Sequence, residues 1–204
     1  MKIILASKNQ DKITEIKKIL INSNIELLTY NDIDIPEVEE TGSTFVENAI
    51  LKARSASEVT GLASIADDSG IEVDYLNGEP GIKSARYSSP GATNDKNNQK
   101  LLKELNGVPL EQRKACYRCI IVFMRFPNDP FPYISSGSWE GYIAQKPEGN
   151  NGFGYDPIFY LPQYKKTSAQ ISSQEKNMIS HRAQALFHLQ HYFDKIFTIQ
   201  NEKS

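Results

Sequence analysis

Two adjacent carboxylates, Asp67 and Asp68, close the apolar run Leu62-Ala63-Ser64-Ile65-Ala66 and are followed by Ser69-Gly70. The run reads as a short buried strand, and Ser69-Gly70 is expected to break it and turn the chain. At such a strand mouth two negative charges lie close together. Like charges at that range repel and raise one pKa unless a cation sits beside them. A hard divalent ion such as Mg2+, which takes carboxylate oxygens and keeps several waters, suits the pair. A solvated Asp-Asp turn accounts for the pair alone equally well, because turns favour Asp for backbone reasons. What favours the ion-binding reading is the company the pair keeps.

Four further polar clusters stand out: Ser7-Lys8-Asn9-Gln10-Asp11-Lys12, the block from Glu39 and Glu40 to Lys52, the loop Phe153-Gly154-Tyr155-Asp156, and Lys176 with His181-Arg182. Asn9 is placed to cap a helix, which puts Lys12 in its first turn. A lysine there opposes the helix dipole and makes sense if an anion is bound at the same end. Asn48 and Lys52 are four apart on the next expected helix and share a face. Carboxylates for a metal, lysines for phosphates and an aromatic residue in a Gly-rich loop together fit a nucleoside polyphosphate bound through Mg2+. Neither G-x-x-x-x-G-K-[ST] nor a strand-to-helix G-x-G-x-x-G occurs, which argues against a P-loop enzyme and a dinucleotide dehydrogenase.

Taken singly, each of these residues has a plainer explanation. Lys12 and Lys52 could be ordinary exposed helix lysines. Phe153 could be core, and Glu37, Glu39 and Glu40 a solvated acidic loop. His181, His188 and His191 fall near one helical face, but no carboxylate or Cys completes a metal site at a familiar spacing. Cys116-x-x-Cys119 lies in strand-like sequence, where side chains three apart point to opposite faces, so it reads as two buried strand residues.

The elements that must position these groups follow from periodicity. A strand at 2–6 leads to a helix with Ile13, Ile16, Ile19 and Leu20 on one stripe, then a strand at 25–30. Thr44 and Glu47 form a capping box for a helix running to Thr60, with Gly61 as its stop. A strand at 71–75, a helix at 95–105 capped by Thr93 or Asn94, a hairpin of 115–126 and 131–139, and a further strand at 141–144 come next. Ser180 caps a final helix to about Phe197. The expected fold is α/β, with helices flanking a mixed sheet. The chain has 204 residues, which suggests one domain spanning 1–204 with no separate linker. A net charge of −2 with no basic stripe excludes a general nucleic-acid binder. No run approaches the ~20 apolar residues of a membrane span, and the apolar start is too short for a signal peptide, so the expected location is cytoplasmic.

The chain resembles the non-canonical purine nucleoside triphosphate pyrophosphatases, the inosine/xanthosine triphosphate pyrophosphatase family. The matching stretches include Leu5-Ala6-Ser7-Lys8-Asn9-Gln10-Asp11-Lys12, Glu40-Thr41-Gly42-Ser43-Thr44-Phe45-Val46-Glu47-Asn48-Ala49 and Ala66-Asp67-Asp68-Ser69-Gly70. Pro80-Gly81-Ile82-Lys83-Ser84-Ala85-Arg86-Tyr87, Gly152-Phe153-Gly154-Tyr155-Asp156-Pro157-Ile158-Phe159 and Ser180-His181-Arg182 complete them in family order. The resemblance implies Mg2+-dependent cleavage between the α and β phosphates, on a long mixed sheet in two lobes with the cleft between them, in a homodimer. It assigns Asp68 as proton acceptor and metal ligand and Glu40 as a second ligand, with Asp67 and Glu39 behind them. Ser7, Lys8, Asn9, Gln10, Asp11, Lys12, Lys52, Ser69 and Lys176 would hold the triphosphate. Phe153, in the loop with Gly154 and Tyr155, would stack on the base, and Asp156, His181 and Arg182 would read its edge. Lys83, Ala183 and Lys8 depart from the usual family residues, and none removes a group assigned to chemistry. Two rivals are a septum-formation-type pyrophosphatase with pyrimidine or modified-base substrates and a nucleotide sensor that binds without cleaving.

Overall fold

Ile3, Ile4 and Leu5 are fully buried, so the first strand, β1 (Lys2–Leu5), is covered on both faces, the pattern of an inner strand between parallel neighbours. The computed structural model describes residues 1–21, 23 and 25–201, with side chains as far as 196. The other strands are β2 (Glu26–Leu28), β3 (Ala63–Val73), β4 (Lys114–Met124), β5 (Tyr133–Ile143), β6 (Phe159–Leu161) and β7 (Lys166–Thr167). They form one open seven-stranded sheet in the order β2-β1-β3-β4-β5-β6-β7. β1 is parallel to β2 and β3, whereas β6 is antiparallel to β5 and β7, so the sheet is mixed as expected. The helices are α1 (Gln10–Ile19), α2 (Phe45–Thr60), α3 (Asn94–Glu104), α4 (Ser173–Ile179) and α5 (His181–Asn201). Among the described residues no helix is long and apolar enough to cross a membrane.

The chain divides into two compact units. The first comprises Met1–Asp68, Cys119–Gly137 and the chain from Arg182. Its strands carry a core on each face. Ile3, Leu5, Ile65, Ile121 and Phe123 pack with Ile13 and Ile16 of α1 and with Leu186, Leu189 and Phe193 of α5. Ile4, Ala6, Ala66, Val122 and Met124 pack with Ala49, Ala53 and Ala56 of α2. The second unit comprises Ser69–Arg118 and Ser138–His181. Its core gathers Ile71, Val73, Leu101, Leu105, Tyr117, Trp139, Tyr155, Ile158 and Phe159.

Local signals place the helix starts well. The Asn9 side chain accepts the N–H groups of Asp11 and Lys12, Thr44 and Glu47 form the capping box of α2, and Gly61 ends it in left-handed backbone. Thr93 caps α3. Four expectations need correction. Ser69-Gly70 does not break the chain: β3 is one strand of 11 residues, and Asp67 and Asp68 lie inside it rather than at its mouth. The segment at 141–144 is not a separate strand for the most part, because β5 continues through Gly141 to Ile143 with Trp139 and Ile143 pointing inward. The strand at 25–30 shortens to Glu26–Leu28. The short β6, β7 and α4 are additional, while Ser180 stands with extended backbone immediately before α5, at the expected cap position. Cys116 and Cys119 are both buried and in no disulfide, and burial pushes the Cys119 thiol up to about 12, far from a reactive thiolate.

Candidate active site

In the first unit, strand alternation decides what each aspartate meets, since successive side chains leave opposite faces. Odd-numbered β3 residues face α1 and α5, and even-numbered ones face α2. Asp67 therefore meets Lys12 Nζ of α1 at 3.1 Å and the Arg182 guanidinium of α5, with Nε at 3.3 Å and Nη2 at 3.2 Å. Arg182 Nη1 donates in turn to Glu15. Burial alone would raise the Asp67 pKa, but Lys12, Arg182 and Lys52 outweigh it and hold the carboxyl well below its usual range. Asp68 meets Lys52 instead. The Lys52 ammonium donates to Asp68 Oδ1 at 2.7 Å and to Glu40 Oε1 at 2.9 Å. Burial pushes the Asp68 carboxyl above the usual range even against the pull of Lys52. For Lys52 burial acts downward, and the nearby Asp68, Asp67 and Glu40 carboxylates override it.

Glu40 and Asp68 thus converge on one cation in this structure, the Lys52 ammonium. Among the described residues no group of three or more His, Cys, Asp or Glu gathers into a metal cage. A two-carboxylate set suits Mg2+, which commonly takes one or two carboxylates and fills its other positions with water and substrate phosphate. Around this core, Ser7 Oγ accepts the Asn9 N–H at 3.3 Å at the start of α1. Gln10 and Asp11 are exposed on its first turn. Lys8 is drawn to Glu37 at 3.2 Å and lies 5.8 Å over the Tyr30 ring. Glu39 is exposed.

In the second unit, Asp156 is the hub of the Gly-rich loop. Its Oδ2 accepts the Phe153 N–H at 2.9 Å and Lys176 Nζ at 2.6 Å, and its Oδ1 accepts the Ser168 hydroxyl at 2.9 Å. The Lys176 ammonium also lies 4.9 Å from the Phe153 ring centre. Gly152 has φ of +73°, and a Cβ there would run into the Asp156 carboxylate, so both the backbone and the space require glycine. Asn98 Nδ2 donates to the Gly154 carbonyl at 3.1 Å, and the Tyr155 hydroxyl donates to the Ser84 carbonyl at 2.8 Å. Phe153 remains partly exposed while Tyr155 and Asp156 are buried. His181 is stacked on Tyr117, with ring centres 4.5 Å apart and planes 2° from parallel. Ser69 is partly buried in β3.

The structure therefore brings together Asp67 with Lys12 and Arg182, Asp68 with Glu40 and Lys52, and Asp156 with Phe153 and Lys176. It turns Lys8 towards Glu37 and Tyr155 into the core. Sequence reasoning missed Glu15, Tyr30, Asn98 and Ser168. Glu15 had one usable signal, its place one turn after Lys12 on α1. Ser168 had none, because its contact with Asp156 is a tertiary one.

The fold and these two groups define a mixed α/β protein with a buried carboxylate–lysine site and an aromatic-faced Gly-rich loop. The Ham1 family model matches residues 3–192, and the chain belongs to that family. It is 54% identical over 186 residues to a dITP/XTP pyrophosphatase of Thioalkalivibrio sulfidiphilus, covering 91% of this chain and 95% of that protein. It is 46% identical over 199 residues to a dITP/XTP pyrophosphatase of Coxiella burnetii, covering 98% and 100%. A solved HAM1 protein from Coxiella burnetii superposes with a TM-score of 0.89 at 46% identity, covering 96% of this chain and 99% of that one. The Staphylococcus aureus Ham1 protein gives 0.85 at 42% identity, with coverage of 96% and 99%.

Proposed function

We propose that this chain is a Mg2+-dependent nucleoside triphosphate pyrophosphatase. It cleaves ITP, dITP and XTP, the non-canonical purine triphosphates, between the α and β phosphates to the monophosphate and pyrophosphate. The observation that carries this reading is the convergence of Glu40 and Asp68 on one cation, with burial raising Asp68. The relatives named dITP/XTP pyrophosphatases support the substrate class.

Attack of water on a phosphate needs positioning and charge neutralisation more than covalent chemistry. Glu40 and Asp68 would hold Mg2+, which when bound neutralises phosphate charge and acidifies water. Asp68 accepts the proton of the attacking water, a task suited to a carboxylate whose pKa is raised. Lys12 and Lys52 act as point charges on the phosphates, with the capped start of α1, from Ser7 to Lys12, as a further anion site. Phe153 supplies a stacking face for the base. Arg182 or a backbone N–H donates to the 6-oxo group of hypoxanthine or xanthine. Adenine presents an amino donor there and leaves that group unpaired, a mismatch that discriminates strongly. The protein is expected to work as a cytoplasmic homodimer, which sedimentation of the purified chain tests.

The deciding experiment is pyrophosphate release from ITP, dITP, XTP, ATP, GTP and TTP, with Mg2+ and with a chelator. Metal-dependent release confined to the first three is the expected result. Release mainly from TTP would favour a septum-formation-type enzyme, and tight binding with no release would favour a sensor.

A further inference from the structure

Two side chains one turn apart on α2 grip the loop that carries Glu40. Lys52 Nζ donates to Glu40 Oε1 at 2.9 Å, and Asn48 Oδ1 accepts the Gly42 N–H at 2.8 Å. Residues four apart share a helix face, so the pair holds the loop at two points. The approach at Gly42 is tight. A Cβ there would lie 2.6 Å from Glu47 Cβ and 2.7 Å from Asn48 Oδ1. Glu47 Oε2 continues the fastening by accepting the N–H groups of Ser43 at 2.7 Å and Thr44 at 2.9 Å.

Asn48 is fully buried, and its Nδ2 finds no acceptor among the described residues. Its amide cannot turn over, because that would set Nδ2 against the Gly42 N–H. A buried unsatisfied donor is unfavourable, so an apolar side chain of similar size would suit the helix better if helix packing alone decided. The benefit of asparagine therefore lies in the Gly42 bond. The two ties also differ in kind. The Lys52 tie is ionic and is lost when another cation takes the ammonium's place at Glu40, whereas the Asn48 tie is neutral and indifferent to charge nearby.

We propose that Asn48 is a positioning residue: through Gly42 it keeps Glu40 in place beside Asp68 once a metal ion displaces the Lys52 ammonium from Glu40. The inference rests on the proposed reading of Glu40 as a metal ligand. It is tested by Mn2+ binding to the nucleotide-free protein, followed by electron paramagnetic resonance, for wild type, Asn48→Leu, Gly42→Ala and Glu40→Gln. Circular dichroism and thermal unfolding establish that each variant is folded. Loss of a supporting contact behind a ligand lowers metal affinity about 10- to 100-fold, and folded Asn48→Leu is expected in that range. Should Asn48→Leu fail to fold, Gly42→Ala displaces the same loop from outside the helix and is expected to show the same loss. Weakened binding in Glu40→Gln with wild-type affinity in Asn48→Leu or Gly42→Ala overturns the positioning role alone. Wild-type affinity in Glu40→Gln overturns the ligand assignment, and the positioning role with it.

Discussion

Asp67 and Asp68 are neighbours on β3, yet their carboxylates serve opposite faces of the strand. Asp67 is held by Lys12 and Arg182, and Asp68 by Lys52 with Glu40. The pair is not a shared-charge dyad. Each member has its own contacting cations, and the two are shifted in opposite directions. Asp68→Asn is therefore expected to lower kcat by roughly 100- to 10,000-fold, the worth of a general base, while nucleotide binding stays largely intact. Steady-state turnover of ITP beside equilibrium binding checks this, and near-normal turnover would remove Asp68 from the base role.

The opposite shifts give opposite pH signatures. Asp68 must be ionised to accept a proton, and burial raises its pKa. In the metal-free protein the Asp68 carboxyl is expected to titrate above ~3.9, the ordinary aspartate value, and bound Mg2+ is expected to move that midpoint down. A carboxyl signal of Asp68 that titrates at or below ~3.9 without metal would exclude the upward shift. For Asp67 burial works upward, but Lys12, Arg182 and Lys52 win and depress the folded pKa. Its contribution to stability is thus complete above the unfolded value and lost as pH falls through the folded one. Unfolding free energy measured against pH is expected to fall more steeply below about pH 4 in wild type than in Asp67→Asn.

Helix starts were legible in the sequence because their determinants are local. Asn9 lies within three residues of the N–H groups it caps, and Thr44 and Glu47 satisfy each other. The continuity of β3 was not legible. Asp-Asp-Ser-Gly is turn-like when read alone, and what lets it remain extended is charge supplied from Lys12, Lys52 and Arg182, far away in sequence. The strands β6 and β7 have three and two residues, too few to show a period. The carboxylates and lysines of the site were visible as types, but their partners were not. Lys176 reads as a phosphate ligand by sequence and is bound to Asp156 in the fold.

That last contact makes a prediction about the base loop. Asp156 holds Phe153 through its backbone N–H, and Lys176 lies against the Phe153 ring. If Phe153 stacks on the base as proposed, loss of the ring removes about 1–3 kcal/mol, so Phe153→Ala is expected to raise KM for ITP by roughly 10- to 100-fold with a smaller change in kcat. Asp156→Asn keeps the shape but loses the charge facing Lys176, and is expected to raise KM in the same direction. Saturation kinetics for ITP and XTP test both. A fall in kcat at constant KM would place Phe153 with the reacting phosphates instead.

Arg182 and Asp67 are both buried, at 2% and 1% exposure; Asp67 is the main counter-charge of Arg182, and Arg182 is second to Lys12 among those of Asp67. Removing one partner of a buried pair strands the other, which costs about 3–5 kcal/mol. Arg182→Met and Asp67→Leu are each expected to lose that much in urea unfolding. Replacing both by apolar residues removes the stranded charge, so the double variant is expected to lose less than the sum of the singles, with a coupling of about 0.5–3 kcal/mol. Glu15 and Lys12 keep the coupling from being complete, because each retains a charge that the double variant no longer answers. Additive losses in the cycle would mean that the two side chains act independently. Arg182→Met is also expected to lower the inosine-over-adenosine ratio, and an unchanged ratio would assign base reading to another group.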